Sequence, residues 1–163
     1  MDYLGIYLQD HFAGSTAGLE LAKRTAKSNH GHAEFGAPLA RIAIEIGEDR
    51  DELKRIMDRL DVDEPRLKAT LAWGAEKVGR LKPNGQVRGY SPLSRVVELE
   101  GLITGVSGKL SLWRSLIELA PNDPRLDEDN LTRLAERAED QLQRLHALRG
   151  AAALIAFGHA NMS

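Results

Sequence analysis

Apolar residues spaced three and four apart recur in long runs along this chain, and that periodicity constrains its fold more than any other feature. Leu4, Leu8, Phe12, Leu19, Ala22 and Ala26 fall on one helical face and predict a first helix from Asp2 to Lys27. The polar stretch Ser28-Asn29-His30-Gly31-His32, rich in residues that tolerate turns, ends it. A second stripe through Leu39, Ile42, Ala43, Ile46, Leu53, Ile56, Met57 and Leu60 predicts a helix of about seven turns, with Pro38 in the first turn, where its missing donor costs nothing. Asp63-Glu64-Pro65 marks the start of a shorter helix with the stripe Leu67, Leu71, Ala75 and Val78, which Lys82-Pro83-Asn84-Gly85 stops.

Ser91-Pro92 combines a capping hydroxyl with proline at the first helical position and predicts a helix from Pro92 to Leu119. Its stripe is Val96, Leu99, Ile103, Val106, Leu110, Trp113 and Ile117, and Val97, Leu112 and Leu116 lie elsewhere around it, as expected of a helix buried on more than one side. Gly101, Gly105 and Gly108 share one face; each costs roughly 0.8–1 kcal/mol of helix propensity, so close approach of a neighbouring backbone is the expected compensation. After Pro121-Asn122-Asp123-Pro124, a last helix from Glu128 to Phe157 carries Leu131, Leu134, Ala138, Leu142 and Leu145 on one face. Its end, from Ala151 to Phe157, is apolar on all sides and needs cover from the bundle or from another subunit.

No alternating strand pattern is present, so the expectation is an all-α fold in one domain spanning residues 1–163: an antiparallel bundle of four long helices plus one shorter helix in the crossover. Short connections make consecutive helices antiparallel neighbours, and residues 61–91 are long enough to join two helical hairpins. With 22 basic and 24 acidic residues the net charge is -2, which gives no global field to recruit nucleic acid. The absence of cysteine excludes disulfides, thiolate metal sites and a thiol nucleophile. No apolar stretch approaches the roughly 20 residues of a membrane span, and the start Met1-Asp2-Tyr3-Leu4-Gly5 is unlike a signal peptide, so a cytoplasmic location and no membrane partner are expected.

Two antiparallel helix pairs joined by a long connection resemble the ferritin-like fold. That resemblance covers most of the chain as architecture, and it implies a di-iron site made from a Glu on each of two helices and a Glu-x-x-His on each of the other two. No Glu-x-x-His occurs here: neither His11 nor His146 has a glutamate three residues before it. The oxidase and iron-storage chemistry of the family is therefore not carried over.

Three other places carry chemistry-bearing residues. His11 falls on the inner face of its helix between Leu8 and Ser15, Asp49 interrupts the stripe between Ile46 and Leu53, and Glu45 lies one turn before it. Glu100 lies beside the stripe of the Pro92–Leu119 helix, with Arg114 on the same side. An unpaired carboxylate in a core is costly, so this set reads as a buried polar network in which His11 meets Asp49 and Glu100 or Arg114 completes it. The competing reading is a divalent metal or small-ligand site on His11, Asp49 and Glu100, with no resident cofactor expected. His30 and His32, with Glu34, form a second, weaker pair of metal ligands in a loop.

The third place is the basic connector: Lys77, Arg80, Lys82, Arg88 and Arg95 occur with no acidic residue between Glu76 and Glu98, and the helix start at Ser91-Pro92 favours an anion. A phosphate or nucleic acid could use it, although GK[ST] and other recognition signatures are absent. Ser15, Ser107 and Ser111 are helical, with no nucleophile elbow around them. The functional expectation is a non-catalytic bundle that acts through self-association or a protein partner, with Trp73, off its own stripe, and the Phe157 end as contact points. Metal or small-ligand binding in the bundle and anion binding by the connector are the alternatives.

Overall fold

The computed structural model describes residues 2–65 and 90–158. Four α-helices, α1 (Tyr3–Ser28), α2 (Gly36–Arg59), α3 (Pro92–Leu119) and α4 (Glu128–Phe157), account for nearly all of them, and a single 3-10 turn (Ala120–Asn122) follows α3. There is no strand among the described residues. The expected short helix, its Trp73, and the basic residues Lys77, Arg80, Lys82 and Arg88 lie outside the described residues.

Three of the four helices begin on the side-chain caps expected of their sequences. Asp2 accepts from the Gly5 amide at 2.9 Å, Ser91 from Ser94 at 3.0 Å and Asp127 from Asn130 at 3.0 Å, each satisfying an amide that has no partner inside its helix. α2 starts at Gly36 without a side-chain cap, which places Pro38 in its first turn as expected. Its Gly36 amide donates instead to the His32 carbonyl at 2.8 Å. A Cβ at Gly36 would lie 2.7 Å from the His30 carbonyl oxygen, so the tight turn out of α1 requires glycine there. α2 ends in a Schellman motif: Val62 donates to the Met57 carbonyl, Asp61 donates to that of Asp58, and Asp61 takes the left-handed conformation with φ 58°.

Cross-helix bonds fix the topology. Gln9 reaches the Asp63 carbonyl and Arg50 reaches Thr16, so α1 and α2 run antiparallel. Arg24 meets Glu98, and Arg95 meets Asn29, which sets α3 antiparallel to α1. Glu100 pairs with Arg149 and Arg114 with Glu139, which sets α4 antiparallel to α3. Glu52 meets Asn130 and Glu45 meets Arg144, closing the ring between α4 and α2. α2 therefore ends where α1 begins, whereas α3 begins where α1 ends. The chain between Asp61 and Tyr90 has to return from one end of the bundle to the other, about 36 Å for a helix the length of α2.

One core runs the length of the bundle, with Leu8, Ile42, Leu99, Trp113, Leu116 and Leu145 fully buried. The close-packed neighbours are α1 with α2, α1 with α3, and α3 with α4. α2 and α4 meet mainly through long polar side chains, and this seam holds the polar centre of the molecule. Gly105 and Gly108 of α3 do not act as expected: a Cβ at either would meet nothing within 4 Å.

Candidate functional site: the polar clasp at the bundle waist

Asp49 is 1% exposed, and the core-facing register of α2 holds it there between Ile46 and Leu53. Its Oδ2 accepts from Lys109 Nζ of α3 and from Gln141 Nε2 of α4 at 3.1 Å, and its Oδ1 accepts from Arg137 Nη2 of α4. Lys109 also donates to Gln141 Oε1 at 2.5 Å, so Asp49, Lys109 and Gln141 form a closed ring of hydrogen bonds among three helices. Arg137 bonds outward to Glu48 at 2.9 Å.

A second layer lies one turn away. Glu45 accepts from Arg144 at 2.5 and 3.3 Å, from Gln141 at 3.3 Å and from Arg41 at 3.2 Å, and Arg144 also pairs with Asp140. Glu45, Glu48 and Asp49 thus face Lys109, Arg137 and Arg144, three carboxylates against three cations. The set is electrically balanced, and neither Asp49 oxygen lacks a donor. A metal ligand needs an oxygen not already held by an ammonium or guanidinium, and both oxygens of Asp49 are held in that way.

Burial pulls Lys109 below the usual lysine range, against the opposing pull of Asp49. Burial pushes Glu45 up, but bonds from Arg144, Gln141 and Arg41 outweigh it and hold the carboxyl below its usual value. Glu52 follows the same pattern, with Arg55 and Asn130 outweighing its desolvation. Carboxylates lowered on folding contribute stability that is present above their unfolded value of 4.5 and lost as pH falls through their folded values. The share of Glu45 and Glu52 in the denaturation midpoint should therefore hold steady down to about pH 5 and decline below about 4.5, after a separate loss that begins below about 6.5 as His11, whose pKa burial lowers, is protonated in the unfolded chain. In Glu45→Gln, where that linkage is removed, the acid decline should be shallower than in the unaltered chain.

Of the residues marked in the sequence, Glu45 and Asp49 come together and the other three do not join them. His11 is half-buried, edge-on to the Tyr7 ring at 4.5 Å, and burial lowers its pKa. Its neighbour Phe12 faces α2; one residue is about 100° of rotation, which turns His11 away from that interface. Asp49 in turn faces α3 and α4, and it is Arg50 that reaches α1, stacking over Phe12 at 4.4 Å. The His11–Asp49 contact expected from the two stripes is therefore not formed. Glu100 and Arg114 are exposed and pair with Arg149 and Glu139 along the outer α3–α4 edge.

The remaining partners, Lys109, Arg137, Gln141 and Arg144, were not singled out by sequence reasoning. Gln141 carried a usable signal: it occupies a core position in the run Leu134, Ala138, Gln141, Leu145, the same interruption that marked Asp49. Lys109 carried it too, interrupting the buried Leu102, Val106, Trp113 and Leu116 of α3, whereas the arginines carried none, because their charged heads reach the interior from the edges of the stripes.

Arg95, assigned to the basic connector, is committed to the fold. Its Nε donates to Asn29 at 2.6 Å and its guanidinium lies 4.4 Å over the Phe35 ring. Beside it, the Tyr90 hydroxyl accepts from Asn29 and donates to Glu98, each at 2.9 Å, and Glu98 accepts from Arg24. Burial, with the adjacent Glu98 carboxylate, pushes the Tyr90 phenol well above its usual range. His30 is exposed, and His32 packs edge-on against Phe35 at 4.7 Å. Among the described residues no group of three or more His, Asp or Glu is arranged to hold a metal ion, and no helix is long and apolar enough to cross a membrane.

Comparison of the chain with protein-family models, with curated proteins and with solved structures gives no match.

Proposed function

We propose that this protein is a non-catalytic helical bundle whose work is association, first of all with a second copy of itself, in the cytoplasm. The observation that carries this reading is how fully the one deeply buried carboxylate is engaged by its neighbours. Every side-chain oxygen of the buried Asp49 is held by Lys109, Arg137 or Gln141, and the clasp is balanced in charge, so recognition falls to the surface. Large apolar side chains stand exposed there, among them Tyr3 at 75%, Ile44 at 65% and Leu154 at 75%.

The architecture is read as ferritin-like, with a short helix in the return between α2 and α3. Two antiparallel pairs and a connection running from one end of the bundle to the other support this reading. The di-iron ligand set of that family has no counterpart in this sequence, so the likeness is proposed for the scaffold and not for its chemistry.

Two measurements on one untagged sample test the proposal. Light scattering should give a mass above that of the 17.9 kDa chain, and metal analysis should give well under one equivalent of any divalent ion. A monomer containing one or more equivalents of metal would overturn it in favour of a ligand site in the bundle.

A further inference from the structure

We infer that the outer side of α1, around Ala13 and Ala17, is the docking surface for the chain's own connector, which lays the stripe Leu67, Leu71, Ala75 and Val78 along it. The inference rests on the reading of a short helix in that return, and goes beyond it by naming the surface the connector covers.

A helix with two neighbours in a bundle keeps a stripe open to water at every turn. α2 and α4 do so throughout, with at most three residues between one exposed position and the next. α1 does not: the nine residues His11–Leu19 pass about two and a half times round the helix without an exposed one. Ala17 stands nine positions after the fully buried Leu8, which is about 180° round from it, and Ala13 stands about 140° round. Ala13 is nevertheless 6% exposed, and it is the one buried apolar residue outside the contiguous core cluster. On the same side, Ile6 and Asp10 before this stretch and Glu20 and Arg24 after it are exposed, so the cover lies over the middle of α1.

The connector leaves and returns on α1. Gln9 donates to the Asp63 carbonyl at 2.9 Å, one turn before Ala13. At the far end of the helix, Asn29 donates to the Tyr90 hydroxyl at 2.9 Å. α3 has its own stretch without an exposed residue, Leu93–Leu99, directly after the chain arrives there. Gln9 and Asn29 are about 30 Å apart along α1, and the 24 residues 66–89 span that distance with a helix of about 18 Å over Leu67–Val78 and the remainder as loop.

The chemistry of the two surfaces matches. Ala13, Gly14, Ala17 and Gly18 present small side chains into which a row of leucines can pack closely. The other way round the bundle crosses the α2–α4 seam, which Arg41, Glu48, Asp51, Arg55, Arg133 and Arg137 line with charge and which offers such a stripe little apolar cover.

The chain has no cysteine, so paired cysteines report the docking cleanly in the full-length protein. Leu71→Cys should form an intramolecular disulfide with Ala13→Cys or with Ala17→Cys under mild oxidation, at least tenfold faster than with Gln143→Cys, which is exposed on α4. With the natural stripe kept, Ala13→Arg should raise the rate of trypsin cleavage after Arg66 and Lys68 at least tenfold. Equal rates of linkage at the three positions, faster linkage to Gln143→Cys, or linkage between chains instead of within one would each overturn the inference, as would unchanged cleavage in Ala13→Arg. Amide hydrogen exchange over residues 67–78 reads the short helix separately. Exchange there at open-chain rates, alongside the expected disulfide, would keep the docking and overturn the helix.

Discussion

Replacing Asp49 by Ala should destabilise the fold by about 3–5 kcal/mol, the range for removing one partner from a buried ion pair. The loss falls unevenly on its two cations. Arg137 is a quarter exposed and keeps Glu48, so it can turn toward water, whereas Lys109 is 15% exposed and keeps only the neutral Gln141 among its hydrogen-bond partners. Asp49→Leu should fail in the same direction, because it too leaves the ammonium without its carboxylate. Adding Lys109→Met should restore a substantial part of the loss, since a matched apolar pair no longer strands a charge. Guanidinium denaturation midpoints of the three variants check the order; a cost of Asp49→Ala below about 1 kcal/mol would mean that water reaches the clasp and replaces the carboxylate.

Trp113→Ala should cost about 3–5 kcal/mol, the range for deleting a large aromatic side chain from a packed core. Trp113 is 0% exposed, and its indole Nε1 is a buried donor with no partner. An unmet buried donor costs about 1–3 kcal/mol, so Trp113→Phe removes that penalty while giving up some volume. The two effects oppose each other, and Trp113→Phe should lie within about 1 kcal/mol of the unaltered chain. Thermal melts followed by far-ultraviolet circular dichroism separate the two variants. Equal losses would show that the indole nitrogen is satisfied after all.

The helices were legible in the sequence because their signals are local. Asp2 caps α1, Ser91 with Pro92 opens α3 and Asp127 caps α4, and each acts within three or four residues of itself. Pro38 marked the first turn of α2, but its first residue carried no cap to read, because the close approach of Gly36 to the His30 carbonyl depends on how the turn folds back, which no stripe encodes. Asp49 was legible as an interruption of an apolar face, and Gln141 is legible by the same rule. The mistaken partner, His11, shows the limit of such reading. Helical phase says that a residue lies near the inner side, but 100° of rotation decides which of two neighbouring helices it meets, and that depends on packing of the whole ring. Arg137 and Arg144 escaped because their backbones sit at the edge while their guanidinium groups reach in to Asp49 and Glu45.

The glycines of α3 carry the same lesson. Their spacing marked a face free of side-chain bulk, but the close neighbour expected over it is not found at Gly105 or Gly108. The exposed hydroxyls of Thr104, Ser111 and Ser115 beside them, each bonded to the carbonyl four residues earlier, became visible only once the rotation of α3 was fixed.

The waist cluster acts as a structural clasp in which Asp49 and Lys109 hold α2 to α3. A double-mutant cycle on Asp49→Leu and Lys109→Met, read by equilibrium denaturation, tests this most directly because it isolates the energy the two side chains share. The expected coupling is above about 1.5 kcal/mol, with the double variant more stable than Asp49→Leu alone. Additivity within about 0.5 kcal/mol, the behaviour of independent positions, would contradict it.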